Sequence, residues 1–140
     1  MRVLLDSTLI MEGEHRNFNL GTWAREHRHE ILMCDAGIAE YLAGRPVKDA
    51  GKEARFQAFW QSFVALIPSV PLDREVCECA GQLLANARKR GRTVPLGDGL
   101  HAAVAELEGL TVATIDTDHF KDLGVAAFNP LENPSGRPAA

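Results

Sequence analysis

Asp98-Gly-Leu-His-Ala-Ala-Val-Ala-Glu-Leu-Glu-Gly-Leu-Thr-Val-Ala-Thr-Ile-Asp116 reads as a helix, a stop and a strand, with an acid at each end. Asp98 is a good N-cap, Leu100, Ala103, Val104 and Leu107 recur at helical spacing, and Gly109 is a stop. Residues 111–115 form an uninterrupted apolar and β-branched run of strand length. A helix joined to a strand by so short a link runs antiparallel to it. Asp98 and Asp116 therefore fall at one end of the unit.

Working outward, residues 2–5, 31–34 and 125–128 are further runs of strand length, and 69–71 is a brief one. Helical patterns lie between them. Asn19 precedes Leu20, Trp23, Ala24 and His27; a stripe of Phe56, Phe59, Trp60, Phe63, Val64 and Ile67 stops at Pro68; and Asp73 opens a helix through Val76, Ala80, Leu83, Leu84 and Ala87 to Gly91. Strands alternating with helices predict an α/β sandwich around a short, mainly parallel sheet flanked by helices.

Ligand sites of such sheets form beyond the carboxyl ends of the strands. Asp6 and Asp116 follow strands directly, Asp98 starts the antiparallel helix, and Glu40 stands about one turn into the helix after residues 31–34. Singly, each acid has an ordinary reading: an N-cap for Asp98 and Asp116, an Asx turn for Asp6, a solvated helix residue for Glu40. Together, on one edge, they favour a site. Carboxylates about 4 Å apart repel by roughly 4 kcal/mol per pair at an effective dielectric near 20, so such a cluster demands protons or a cation.

Composition narrows the class. A chain of 140 residues, 46% hydrophobic and 24% charged, is expected to fold as one soluble domain over residues 1–130, with a flexible C-terminal tail over 131–140. No run has the length of a membrane span or the pattern of a signal peptide, which predicts a cytoplasmic protein with no membrane partner. Cys34, Cys77 and Cys79 have no metal-finger spacing and read as reduced packing residues. A formal net charge of −4 argues against nucleic-acid binding by bulk electrostatics, although Arg88, Lys89, Arg90 and Arg92 form a local basic run. That run reads first as a solvated helix end.

Four motifs carry a resemblance. Leu-Leu-Asp6-Ser-Thr8, Ile-Ala-Glu40-Tyr-Leu-Ala-Gly44, Pro-Leu-Gly-Asp98-Gly-Leu-His-Ala-Ala-Val-Ala and Thr114-Ile-Asp116-Thr-Asp118-His-Phe120 stand in the order and spacing of a known set. Over residues 2–128 the chain resembles the PIN-domain ribonucleases, especially the VapC-type toxins of toxin-antitoxin pairs. Met11-Glu-Gly-Glu-His-Arg-Asn17 departs from the pattern, being more charged than the apolar helix that follows the first motif in that family. Asp118 is an extra acid beside Asp116, and either fills the fourth acidic role.

The resemblance implies a PIN-like three-layer sandwich and hydrolysis of RNA phosphodiesters with Mg²⁺ or Mn²⁺. Asp6 and Asp98 would be the main metal ligands, completed by Glu40 and Asp116. Thr8 and Thr114 are accessory candidates whose hydroxyls bond either a carboxylate, the substrate phosphate or backbone. The resemblance also implies a cognate antitoxin and a homodimer. His101 and His119, near Asp98 and Asp116 in sequence, read first as packing or surface residues, with contact to RNA or a scissile phosphate as the alternative, and His27 with His29 as a poor metal pair. Two other classes stay open: a phospho-acceptor receiver-like module with an acidic Mg²⁺ pocket, for which Lys121 is the only candidate lysine and is badly placed, and a catalytically silent PIN-like domain that binds RNA or a partner.

Overall fold

The computed structural model describes residues 1–138. Its elements run β1 (Arg2–Leu5), α1 (Ser7–Glu14), α2 (Leu20–Glu26), β2 (Glu30–Cys34), α3 (Asp35–Ala43), α4 (Ala50–Ser62), β3 (Ser69–Val70), α5 (Arg74–Lys89), α6 (Leu96–Glu108), β4 (Thr111–Ala113), α7 (Thr117–Asp122) and β5 (Ala127–Phe128), with a 3₁₀ turn at Val64–Leu66. The strands form one sheet in the order β3-β2-β1-β4-β5, and every pairing is parallel.

The pleat sorts β1 between two cores. Val3 and Leu5 pack with Leu9, Ile10, Trp23, Tyr41 and Phe56 on one side, and Leu4 packs with Ala80, Ala103, Val104 and Phe120 on the other. Both faces of the sheet are thus covered by helices, as the uninterrupted apolar strands require. The chain steps from β1 outward to β2 and β3, then returns to build β4 and β5 on β1's other side. The order reverses between β1 and β4, the position at which open α/β sheets leave a crevice. A receiver sheet runs 2-1-3-4-5 instead, and Lys121 lies within α7, so the receiver reading is set aside.

Local signals behave largely as read. Asn19 and Asp73 accept backbone N–H bonds from Thr22 and Val76 as N-caps, and Gly109 ends α6 at φ 66°. The differences are instructive. Helix α6 starts at Leu96 with Pro95 in the cap position and no side-chain cap bond, which puts Asp98 inside the first turn rather than at the cap. Leu107 on that helix is 41% exposed instead of buried, and Cys77 is exposed, so only Cys34 serves as a fully buried packing cysteine. The charged segment 11–17 is helical through Glu14, whose buried carboxylate is met by Arg55 at 3.1 Å and His15 at 3.0 Å. That pairing lets an acid enter an otherwise apolar layer.

For the tail over 131–140, composition predicts flexibility. Within the described residues it lies in turns against the body: Trp23 Nε1 donates to the Pro134 carbonyl at 2.7 Å, and Gly136, at φ 69°, sits over the Phe128 ring. Pro134 and Gly136 thus lie against the aromatic side chains of Trp23 and Phe128. Residues 139 and 140 lie outside the described residues. Among the described residues, no helix is long and apolar enough to cross a membrane.

Candidate metal centre

Asp6 follows β1 and is 1% exposed. Its backbone N–H donates to the Ala113 carbonyl at 3.0 Å, so β4 is locked beside it. One carboxylate oxygen accepts the Ser7 N–H at 2.9 Å; the other accepts the hydroxyls of Thr8 at 2.9 Å and Thr114 at 2.8 Å. The accessory threonines therefore hold a carboxylate, not backbone carbonyls. Thr114 also accepts the Asp116 N–H at 3.0 Å, which sets the start of α7. Thr114→Val should cost about 1–3 kcal/mol, since Asp6 loses a donor and the Asp116 N–H its acceptor inside a buried site. Urea unfolding measures this, and a loss below a few tenths of a kcal/mol would contradict it.

Two triads of ligand atoms stand at the crevice, each with its atoms within 4.8 Å of one another: Asp6, Glu40 and His101, and Asp98, Asp116 and His119. Glu40 reaches across from α3, where Ser7 Oγ donates to it at 3.3 Å. His119 Nδ1 lies 2.5 Å from Asp98 and 2.9 Å from Asp116, so it clamps the two carboxylates together. Asp116 occupies the N-cap position of α7 but makes no side-chain cap bond, its carboxylate being turned to His119. Asp118, the second residue of α7, is exposed and belongs to neither triad.

Both histidines stand in the triads, and Gly97, which carries no sequence signal of its own, borders them. His101 is fully buried; its Nδ1 faces the Gly97 carbonyl at 2.8 Å, and its Nε2 stands 3.7 Å from Asp6 without a hydrogen-bond partner. Burial works against its protonation, but the Cys34 thiol, Asp6 and the Gly97 carbonyl together raise its pKa to about 10. Each histidine stands three residues after an acid on its own helix, a same-face spacing that was visible in the sequence. Gly97 lies against Glu40: a Cβ there would overlap the carboxylate, coming within 3.0 Å of its Cδ.

The electrostatics are those of a site built for a cation. Burial raises the pKa of Glu40 and of Asp98, and the Asp6 charge adds to both. Burial lowers that of His119, but its bond to Asp98 and the nearby acids outweigh this and raise it. A carboxyl raised in the folded chain contributes stability in acid that is lost as pH climbs above 3.8 for Asp98 or 4.5 for Glu40 toward its folded value. His119 contributes below 6.5 and loses its contribution as pH rises through its folded value. All three make the metal-free chain less stable as pH rises. Added Mn²⁺ should therefore raise the melting temperature more at about pH 7.5 than at about pH 5. A shift that grows toward acid would contradict this.

The donor set fits a hard divalent ion, because four carboxylates supply oxygen and the only nitrogen donors are imidazoles. A PIN domain model matches residues 3–126. The chain belongs to the PIN domain family. Toxin FitB of Neisseria gonorrhoeae is 35% identical over 135 residues, covering 91% of this chain and 97% of that protein. The VapC ribonuclease Y4jK of Sinorhizobium fredii is 35% identical over 137 residues, covering 93% and 98%. The crystal structure of FitAcB from Neisseria gonorrhoeae superposes with a TM-score of 0.77 at 26% identity, covering 92% of this chain and 98% of that one. In this PIN domain Asp6 and Asp116 follow strands, Asp98 lies in the first turn of α6 and Glu40 within α3, and the fold gathers them as two pairs, each with a histidine.

Proposed function

We propose that residues 1–130 form a metal-dependent ribonuclease domain acting as the toxin of a toxin-antitoxin pair. The observation that carries this reading is the pairing of Asp6 with Glu40 and of Asp98 with Asp116 in two triads of a PIN domain whose relatives include a VapC ribonuclease and a toxin. Asp6 and Asp98 are assigned as the main ligands of Mg²⁺ or Mn²⁺, with Glu40 and Asp116 completing the set directly or through water. A bound ion of this kind supplies an activated water and stabilises charge on the phosphate. The chain's own part is to hold the acids in place: Thr8, Thr114 and Ser7 fix Asp6, and His119 keeps Asp98 beside Asp116.

The decisive assay is RNA cleavage by the purified chain with Mg²⁺ or Mn²⁺, with DNA and small phosphate esters as competitors. Metal-dependent cleavage of RNA that stops on chelation is expected; RNA left intact with both metals would sink the reading and revive the silent PIN-like domain.

An antitoxin is the proposed partner. A groove of about 610 Å³ between α1, α2 and α4 is lined by Phe18, Leu20, Phe59 and Phe63 with Arg16 and Arg25 at its rim, and suits an amphipathic segment. Co-expression with the product of a short neighbouring reading frame should relieve growth arrest and co-purify with the chain. The proposed homodimer is read from its mass by light scattering.

A further inference from the structure

The basic run at residues 88–92 stands at the α5–α6 corner, and its members have different partners. Arg90 donates to the Asp122 carbonyl at the end of α7, and Arg92 lies 3.8 Å from the Asp122 carboxylate. Those contacts tie the corner to the helix whose start carries Asp116 and His119. Arg88 is exposed, in the last turn of α5, and has no ion pair among the described residues. It lines a cavity of about 200 Å³ together with Leu84, Arg92, Thr93, Val94 and Leu96.

That cavity shares the first turn of α6 with the acid cluster. The Leu84 side chain lies against Gly99, where an added Cβ would come within 2.6 Å of it, and Leu96 is followed at once by Gly97, which faces Glu40. Leu96 itself is 66% exposed, an apolar residue that the fold does not bury. A chain of net charge −4 with a carboxylate cluster repels a polyanion. Cations beside the cluster are needed to hold one there.

Resting on the ribonuclease reading, we propose that this cavity is a nucleotide subsite for the RNA chain next to the scissile phosphate. Arg88 and Arg92 receive a backbone phosphate, and the base of that nucleotide lies on Leu84, Val94 and Leu96. Guanidinium groups suit this twice over, since they pair with phosphate through a fork of donors and present a flat face to a base. Arg92 has Asp122 3.8 Å away, and Arg88 has no ion pair among the described residues.

The test measures binding of a fluorescently labelled single-stranded RNA by anisotropy, without divalent ions, alongside cleavage with Mn²⁺. Arg88→Glu should weaken RNA binding about tenfold, and Arg88→Ala should lower the slope of log affinity against log salt by about 0.7, the value for one phosphate contact on a single strand. In cleavage the loss should appear in KM, with kcat within about twofold of wild type. Arg74→Glu makes the same charge change at the far, exposed end of α5 and serves as the control. Equal affinity of Arg88→Glu and wild type, an equal loss in Arg74→Glu, or no RNA binding by wild type would each overturn the subsite. Wild type that binds RNA with the expected Arg88 dependence but never cleaves it would overturn the ribonuclease reading alone.

Discussion

Asp98→Asn is expected to leave the chain folded while lowering metal-dependent RNA cleavage by on the order of 10²- to 10³-fold. Asparagine has the shape of aspartate and keeps an oxygen toward His119, so the contact that joins α6 to α7 survives. The folded chain holds this carboxyl at a raised pKa because it is partly buried and faces Asp6. Removing its charge therefore relieves a penalty, against which the lost favourable charge in the first helical turn amounts to about 0.3–1 kcal/mol. Stability should stay within about 1 kcal/mol of wild type. What disappears is one anionic oxygen ligand of the proposed cation site. The variant should show a normal melting temperature without metal, a much reduced rise on adding Mn²⁺, and cleavage close to background. Cleavage equal to wild type would reject Asp98 as part of the site.

Gly97→Ala should separate stability from function most sharply. The glycine stands in the second position of α6, where alanine is the better helix former by roughly 1 kcal/mol. Backbone conformation is no obstacle, since Gly97 has ordinary helical geometry and lacks a positive φ. The obstacle is Glu40, whose carboxylate occupies the space that a methyl group would need. A long side chain can swing away cheaply, so the protein folds; the carboxylate then leaves the crevice. A displacement of about an ångström at a reacting centre can cost on the order of 10²-fold in rate, and that loss is expected here at an unchanged or higher melting temperature. Wild-type cleavage by Gly97→Ala would show that Glu40 needs no such space.

Much of the site was legible because its residues sit at joints. Asp6, Asp98 and Asp116 mark where apolar runs begin or end, and strand-to-helix logic alone assigns them to one edge. Thr8 and Thr114 were legible as hydroxyls near acids, though their partner could not be named. Spacing does not separate Asp116 from Asp118, since one stands at the cap and the other in the first turn of the same short helix; in the fold Asp116 turns to His119 while Asp118 is exposed. The histidines show the same limit. A histidine three residues from an acid is common on helix surfaces, and only packing reveals that His101 lies beneath Asp6.

The alternation of strands and helices, the caps at Asn19 and Asp73 and the stop at Gly109 can be read from the chain alone, because periodicity, caps and stops are properties of neighbouring residues. Tertiary structure alone decided the strand order, the pairing of the acids into two histidine-linked triads, the docking of the segment after Pro130 on Trp23, and the space that Gly97 leaves for Glu40. Those are contacts between residues far apart along the chain. Their geometry follows from the packing of the sheet against its helices, which no local pattern encodes.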